Sequence, residues 1–388
     1  MAFNWLADTL KERESQGYLR RRVSQSYEKD NIICIDGQHY LNFASNDYLG
    51  MRHHEGMLQA WTEGLAQYGG GSGASPLVTG YSQAHQALEA YLAQHLGREA
   101  VLLFNSGFAA NQAICQALFH KGGEVFADKL MHASFLEGAL ASQASLRRFR
   151  HNDTAHLATL LSASENADRL IVSEGVFSMD GDQAPVTQLC ELSAQSGSWL
   201  MIDDAHGFGV LGRQGFGSVE AHSLSQAQVP VVMGTFGKAI GTAGAFVAGS
   251  QALIDYLVNY ARHYIYSTAM PSAQAVATLY SLTYLRDADV RDRLNDNIGY
   301  FRERARSSGL DIMPSKSPIQ PVLAGTPERA AALGRALRVR GIWAVPMRYP
   351  TVPKGTDRLR LTLNAAHTRQ DIDALTDAFS LALEAIST

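Results

Sequence analysis

Short apolar runs alternate with helical stretches through the middle of the chain. Strands are predicted for the apolar runs at residues 101–104, 169–175, 199–205, 229–236 and 244–249. Helices are predicted for residues 86–96 and about 107–119, and Pro185 and Gly197 bracket a further helix. Because continuous apolar strands separated by helices are typical of parallel sheets, we expect an α/β fold with helices on both faces of a mostly parallel sheet.

The two ends of the chain depart from this alternation. Residues 5–14 have the spacing of a short amphipathic helix, and residues 32–43 predict two short strands joined at Asp36-Gly37. Beyond about residue 285, charged helical stretches flank short strands, which indicates a smaller α+β domain. We expect three parts: an N-terminal helix and hairpin at 1–45, a large domain at 46–285, and a small α+β domain at 286–388.

Composition narrows the class of protein. The chain of 388 residues has 33 basic and 37 acidic side chains, so no basic field favours a nucleic acid or an anionic membrane as partner. Its three cysteines, Cys34, Cys115 and Cys190, are odd in number and widely spaced, which indicates reduced thiols rather than a disulfide framework. No run approaches the roughly 18 apolar residues of a membrane span, and the N-terminus does not resemble a signal peptide. We expect a soluble cytoplasmic protein.

Unusual polar residues follow several predicted strands. In an open parallel sheet, ligands bind at the carboxyl ends of the strands. A Ser106-Gly107 turn opens a helix whose first amides could bind a phosphate. Asp203 ends an apolar strand and is followed by His206, and a buried carboxylate there requires a cation. Lys238 follows the next strand. Taken singly, these residues could be a helix cap and ordinary loop positions.

Two nucleotide-binding motifs fail here. A P-loop would need a glycine and a hydroxyl where Val232 and Ala239 stand. A dinucleotide fingerprint at Gly69, Gly71 and Ala74 would follow a helical stretch rather than a strand. A phosphate cradle, a carboxylate and a lysine are instead the groups that hold pyridoxal 5'-phosphate (PLP). The combination predicts a PLP enzyme.

The motifs around these residues resemble those of the α-oxoamine synthases, which are fold-type I PLP enzymes. The resemblance extends over nearly the whole chain, in segments at 45–50 (SNDYLG), 69–81, 105–113 (NSGFAANQA), 132–139, 173–182 (SEGVFSMDGD), 203–207 (DDAHG), 235–238 (TFGK), 266–271 and 350–363. It implies a fold-type I architecture, with PLP bound in the large domain and a smaller α+β C-terminal domain.

The resemblance also implies roles for matching positions. Lys238 would form the Schiff base with PLP, Asp203 would face the ring nitrogen, and His132 would stack on the ring; these three are the expected catalytic residues. The other expected cofactor contacts are Gly107, Phe108, Ser178, His206 and Thr235. The expected substrate contacts are Arg20, Asn46, His132, Arg348 and Thr351. No metal is expected, and the remaining histidines, His151 among them, are assigned to surface or packing positions.

The implied reaction condenses an amino acid with an acyl thioester and releases CO2. L-alanine and either pimeloyl-CoA or pimeloyl-acyl carrier protein are the substrates best supported, through the LRRR run at 19–22 and the PTVP turn at 350–353. The resemblance further implies a homodimer with its active site between the subunits, where Ser267-Thr268 reaches a neighbour's phosphate. Two alternatives stay open: a glycine-using member (2-amino-3-ketobutyrate CoA ligase or 5-aminolevulinate synthase), and a non-catalytic partner subunit.

Overall fold

The computed structural model describes residues 2–387. Its strands are β1 (Tyr27–Lys29), β2 (Ile32–Ile35), β3 (Gln38–Asn42), β4 (Ala100–Phe104), β5 (Glu124–Asp128), β6 (Ser145–Phe149), β7 (Arg169–Glu174), β8 (Trp199–Asp203), β9 (Val231–Thr235), β10 (Ala245–Gly249), β11 (Ile319–Gly325), β12 (Ile342–Trp343), β13 (Val345–Met347) and β14 (Asp357–Thr362). Its α-helices are α1 (Leu6–Ser15), α2 (Glu55–Tyr68), α3 (Gln83–Leu96), α4 (Gly107–Leu118), α5 (Ala133–Leu140), α6 (Thr154–Ser162), α7 (Val186–Ser196), α8 (Ser218–Ala221), α9 (Gln251–Tyr260), α10 (Arg262–Ile265), α11 (Ser272–Asp287), α12 (Val290–Ser307), α13 (Pro327–Val339) and α14 (Arg369–Ser387). A 3₁₀ turn spans Met51–His53 and a π-helical turn spans Pro76–Gly80.

A seven-stranded sheet in the order β4-β10-β9-β8-β7-β5-β6 forms the centre of the molecule. Only β10 runs antiparallel to its neighbours, β4 and β9. Buried side chains from the strands form two apolar clusters with the flanking helices. The prediction of a mostly parallel, helix-covered sheet is confirmed. Since the other six strands run the same way, their carboxyl ends meet along one edge of the sheet.

Two smaller sheets accompany the central one. The predicted hairpin is β2–β3, and Asp36 and Gly37 turn it with φ of 50° and 76°, the left-handed conformation that a two-residue hairpin loop requires. The C-terminal sheet has the order β11-β14-β13. β12 pairs in parallel with β3, so the N-terminal segment and the C-terminal region share a sheet. The boundaries after residues 45 and 285 stay a prediction.

Strands β5 and β6 were not anticipated from the apolar pattern. Every residue of β5 is buried, yet acidic residues stand at both its ends, Glu124 and Asp128. An ion pair from Arg147 on β6 reaches Glu124 across the strand pair at 2.8 Å. Burial of these carboxylates therefore depends on partners that are distant in sequence. Within residues 2–387, no helix is long and apolar enough to cross a membrane.

Close packing of α2 against α11 generates the first prediction. A Cβ added at Gly64 in α2 would lie 2.8 Å from the Cα of Ala273 in α11. We expect Gly64→Ala to lower the free energy of unfolding by about 1–3 kcal/mol, because two backbones would have to separate. Gly299 in α12 faces open space, so Gly299→Ala should instead raise it by about 0.5–1 kcal/mol. Urea unfolding of both variants measures the two effects, and a loss of equal size in both would contradict this account.

Candidate active site

Polar side chains gather where the parallel strands of the central sheet end. β8 ends at Asp203 and the following loop carries His206; β9 ends at Thr235, and Lys238 follows three residues later. The sequence placed these side chains at strand ends, and the structure brings them together at one edge of the sheet. Their surroundings are largely dry, since Asp203 and His206 are both buried.

A hydrogen-bonded chain runs inward from Lys238. Its Nζ lies 2.8 Å from Nε2 of His206, and Nδ1 of His206 lies 2.7 Å from the Tyr48 hydroxyl. That hydroxyl donates to Oδ1 of Asn46 at 3.1 Å. Since the hydroxyl has one proton to give, it must accept from Nδ1–H of His206. The Nε2 atom is therefore left to accept from Lys238, which fixes the tautomer of the imidazole.

Burial lowers the pKa of two groups in this chain. The pKa of Lys238 falls to about 8 because burial outweighs the opposite effect of the neighbouring carboxyl groups, of which Asp203 contributes most. The pKa of His206 lies well below its usual range, through burial first and the positive charge of Lys238 second. His206 is consequently neutral at physiological pH, as the hydrogen-bonded chain requires.

A second network holds the carboxylate of Asp203. Oδ2 accepts from the Asn111 side-chain amide at 2.8 Å, and Oδ1 accepts from the Ala205 N–H at 3.1 Å. Asn111 also donates to the Ser134 hydroxyl, which lies 2.8 Å from Nδ1 of His132. The network thus links the position of His132, at the start of α5, to that of Asp203.

Two arginines of β14 reach the loop that follows β7. Arg358 and Arg360 alternate along the strand and are both buried. Arg358 forms an ion pair with Asp180. Arg360 donates to the Ser178 carbonyl at 2.6 Å and to Oδ1 of Asn46 at 3.1 Å. The small C-terminal sheet therefore helps to fix the loop that carries Ser178.

The other end of the site is formed by the start of α4. The Ser106 hydroxyl caps this helix by accepting from Ala109 N–H at 3.1 Å. Gly107 and Phe108 lie in the first turn, where the helix itself offers no acceptor for their amides. Thr235 donates its hydroxyl proton to the Gly244 carbonyl at 2.8 Å, and its oxygen stays able to accept.

A cavity of about 570 Å³ opens beside these groups. It is lined by residues that include His132, Ser178, Arg20 and Thr351. Arg20 lies 3.5 Å from the Thr351 hydroxyl, so the two predicted acyl contacts are neighbours at the mouth. Arg348, predicted as a contact for the amino-acid carboxylate, instead donates to the Gly17 carbonyl at 2.7 Å and is not among the lining residues.

Four polar residues of the site were missed by the sequence reasoning. They are Tyr48, Asn111, Glu174 and Arg360. Each lies inside a segment that carries the family resemblance, and each is a polar group in a buried stretch. Unusual polarity within an apolar segment was the available signal. It could not show which of these residues point toward Lys238.

The assignment of His151 to a surface or packing position was incomplete. Its Nδ1 lies 3.0 Å from Asp128 and its Nε2 lies 2.8 Å from Asp182, so both ring nitrogens face carboxylates. Burial lowers the pKa of His151, but the hydrogen bonds and charges of the two acids outweigh it and raise the pKa to about 10. Although His151, Asp180 and Asp182 have potential ligand atoms within 4.8 Å of one another, these side chains already pair with one another or with Arg358.

The arrangement fits PLP on chemical grounds. Among the described residues, the hydrogen-bond partners of the buried Asp203 carboxylate are neutral, and a protonated ring nitrogen would give it a charged donor. Lys238 offers a part-buried amine for the aldehyde. The first amides of α4 offer donors for a phosphate.

Comparison with known proteins agrees with this chemistry. Residues 38–379 match the family model described as aminotransferase class I and II. The 8-amino-7-oxononanoate synthase of Aeromonas hydrophila is 51% identical over 374 residues, covering 96% of this chain and 93% of the relative. That of Alcanivorax borkumensis is 47% identical over 381 residues, 98% of each chain.

Solved structures of related enzymes have the same fold. A serine palmitoyltransferase from S. paucimobilis, with bound PLP-myriocin aldimine, superposes with a TM-score of 0.93 at 28% identity over 99% of this chain and 98% of that one. The 8-amino-7-oxononanoate synthase of Francisella tularensis superposes with a TM-score of 0.78 at 31% identity, over 90% and 99% of the two chains.

Fold and site together define a fold-type I, PLP-dependent transferase, as the sequence predicted. The 51% sequence identity over nearly the full length assigns the chain to one family within this class. The chain belongs to the 8-amino-7-oxononanoate synthase family.

The charged state of His151 generates a prediction about pH. Because its folded pKa of about 10 lies above the ordinary value of about 6.5, its contribution to stability is complete below pH 6.5 and is lost as the pH rises through 10. We expect His151→Gln to lower the free energy of unfolding by about 1–2 kcal/mol at pH 6 and by clearly less near pH 10. Urea unfolding at both pH values tests this, with the exposed His39→Gln as control. A loss that grows with pH would refute it.

Proposed function

We propose that this chain condenses L-alanine with a pimeloyl thioester to form 8-amino-7-oxononanoate, CO2 and the free thiol carrier. A bond forms between the alanine α-carbon and the acyl carbon, while the C–S bond and the bond to the alanine carboxylate break. The relatives from Aeromonas hydrophila and Alcanivorax borkumensis are named for this product. The observation that carries the proposal is the part-buried amine of Lys238, with its pKa lowered to about 8, at the same sheet edge as the buried carboxylate of Asp203.

Each residue at this edge would contact a different part of the cofactor. Lys238 would hold PLP covalently, Asp203 would pair with the ring nitrogen, and His206 and Ser178 would face the ring oxygen. Gly107 and Phe108 would offer amides to the phosphate, with Thr235 beside them. When bound, PLP supplies an electron sink for negative charge at the amino-acid α-carbon.

Alanine would be oriented by a buried guanidinium. Arg360 donates a hydrogen bond to Asn46. Asn46 also accepts from the Tyr48 hydroxyl, which is hydrogen-bonded to His206 beside Lys238. A guanidinium can hold a carboxylate through two parallel hydrogen bonds. We therefore assign the alanine carboxylate to Arg360 and Asn46 in place of Arg348, whose side chain is engaged with Gly17.

Proton transfer at the α-carbon would fall to Lys238. A base is most effective when its pKa lies near the working pH, and burial brings the pKa of Lys238 to about 8. His132 lines the cavity and is oriented through Ser134. Its imidazole could donate a hydrogen bond to the carbonyl oxygen of the thioester as negative charge develops there. Arg20 and Thr351 at the cavity mouth would contact the acyl chain.

A second copy of the chain would complete the site. Leu77, Val78, Tyr81, Phe108 and Tyr266 are exposed, and they lie on or beside the Pro76–Gly80 turn, α4 and α10, where α10 contacts the other two elements. Such a patch is typical of a protein–protein interface. The carbonyl of Thr268 accepts from Asn105, so Ser267-Thr268 borders the same surface. These features support the homodimer that the family resemblance implies.

An assay of amino acids against acyl thioesters tests the reaction. We expect CO2 release with L-alanine and pimeloyl-CoA or pimeloyl-acyl carrier protein, and at least about 10-fold lower kcat/KM with glycine or with acetyl-CoA. Lys238→Ala should lose turnover and also the absorbance of the Schiff base, which borohydride reduces in the wild type. Both depend on the amine of Lys238. A preference for glycine would contradict the assigned substrates and leave the family unchanged.

Exchange of the two candidate arginines tests the carboxylate contact. Arg360→Lys should raise KM for alanine by about 10–100-fold, because an ammonium cannot reproduce the two parallel hydrogen bonds of a guanidinium. Arg348→Lys should change KM for alanine by less than about threefold. Steady-state kinetics at saturating thioester separates the two, and the opposite ranking would return the role to Arg348.

A further inference from the structure

Glu174 shares the sheet edge with Asp203 but takes no part in the reaction as described above. It is the last residue of β7, and strand register places it directly beside Asp203, the last residue of β8. Both side chains are buried, with exposures of 2% and 4%. Since paired residues of adjacent strands point to the same face, about 5 Å apart, two carboxyl groups lie side by side out of water.

The hydrogen bonds of Glu174 are incomplete. Oε2 accepts from the Ser178 N–H at 3.0 Å. Oε1 is buried and has no partner among the described residues. An ionised carboxylate with a bare, buried oxygen would lose hydration without compensation. A neutral carboxylic acid has a smaller desolvation cost at the same position.

The charges around Glu174 point the same way. It faces Asp203 from β8, Asp128 from β5 and Lys238 from the loop after β9. Asp128 already has the imidazolium of His151. Among the described residues whose charge acts on Glu174, the cation is Lys238. Burial raises the pKa of Glu174 well above its usual range, and the negative charge of Asp203 adds to this.

We propose that Glu174 is a positioning residue that remains a neutral carboxylic acid in the folded protein, so that Asp203 alone presents negative charge to the cofactor's ring nitrogen. Through Oε2 it also fixes the backbone at Ser178. The inference rests on the proposed function, since it gives Asp203 the ring nitrogen as its partner. It assigns Glu174 a fixed protonation state and no contact with substrate.

Infrared difference spectroscopy of the cofactor-free protein tests the protonation state directly. At about pH 8.5, wild type minus Glu174→Gln should show the carbonyl band of one neutral carboxyl group. Asp204→Asn is the matched control: the pKa of Asp204, raised by burial, is about 6, so this acid is ionised at that pH. The control difference should show no such band. Absence of the band in the first difference would overturn the proposal.

Cofactor absorbance supplies a second readout. In the holoenzyme, Glu174→Gln should leave the pH midpoint of the cofactor band within about 0.3 unit of wild type, because no charge is removed. If Glu174 were ionised, its loss so close to the cofactor should lower this pH midpoint by about one unit or more. That result would overturn the proposal. Asp203→Asn, which does remove a charge, should shift it.

The two readouts cover the remaining outcomes. Should Glu174→Gln not fold, the wild-type spectrum decides: a neutral-carboxyl band persisting at about pH 8.5 supports the proposal, and its absence refutes it. The band is read without cofactor or substrate. A missing band therefore refutes the charge assignment alone, whereas failure of alanine condensation with the band present refutes the proposed reaction alone.

Discussion

Charge buried at the edge of a parallel sheet is the constraint on which the rest of this structure depends. Lys238 and Asp203 lie where water is largely excluded, so every polar atom needs a partner supplied by the protein or by a ligand. His206 accepts a hydrogen bond from the amine of Lys238, and Asn111 donates one to an oxygen of the Asp203 carboxylate. The partners come from the strand-end loop, from α4 and from the segment between β3 and α2, whose Tyr48 orients His206. Distant parts of the chain thus converge because these charges must be solvated there.

The C-terminal sheet enters the site for the same reason. Arg358 and Arg360 project from one strand, and together they hold the loop after β7 through Asp180 and Ser178. Hydrogen bonds from charged donors contribute about 1.5–3 kcal/mol each, more than neutral ones. The position of Ser178 is therefore coupled to the packing of a domain that contributes no strand to the central sheet. Movement between the two sheets would displace that loop.

How far the sequence could go is clearest at particular residues. Asp203, His206 and Lys238 were predicted because β8 and β9 are continuous apolar runs, after which any polar group stands out. Strand β5 was not predicted because acidic residues at its ends interrupt the apolar pattern. The partners of these acids are distant in sequence and are known only from the structure. Arg348 and Arg360 stand twelve positions apart, and they differ in burial and in the contacts they make. A single sequence contains no record of burial between distant segments.

The opposed effects on Lys238 explain why one acid rather than two should be ionised here. Burial lowers the pKa of this amine, whereas negative charge on a neighbouring carboxyl group, Asp203 foremost, raises it. An amine that must act as nucleophile and base near neutral pH needs the first effect to prevail. A second ionised carboxylate would hold the amine in its protonated, unreactive form. A neutral Glu174 leaves one negative charge, which is enough to pair with a ring nitrogen, and keeps the free amine accessible.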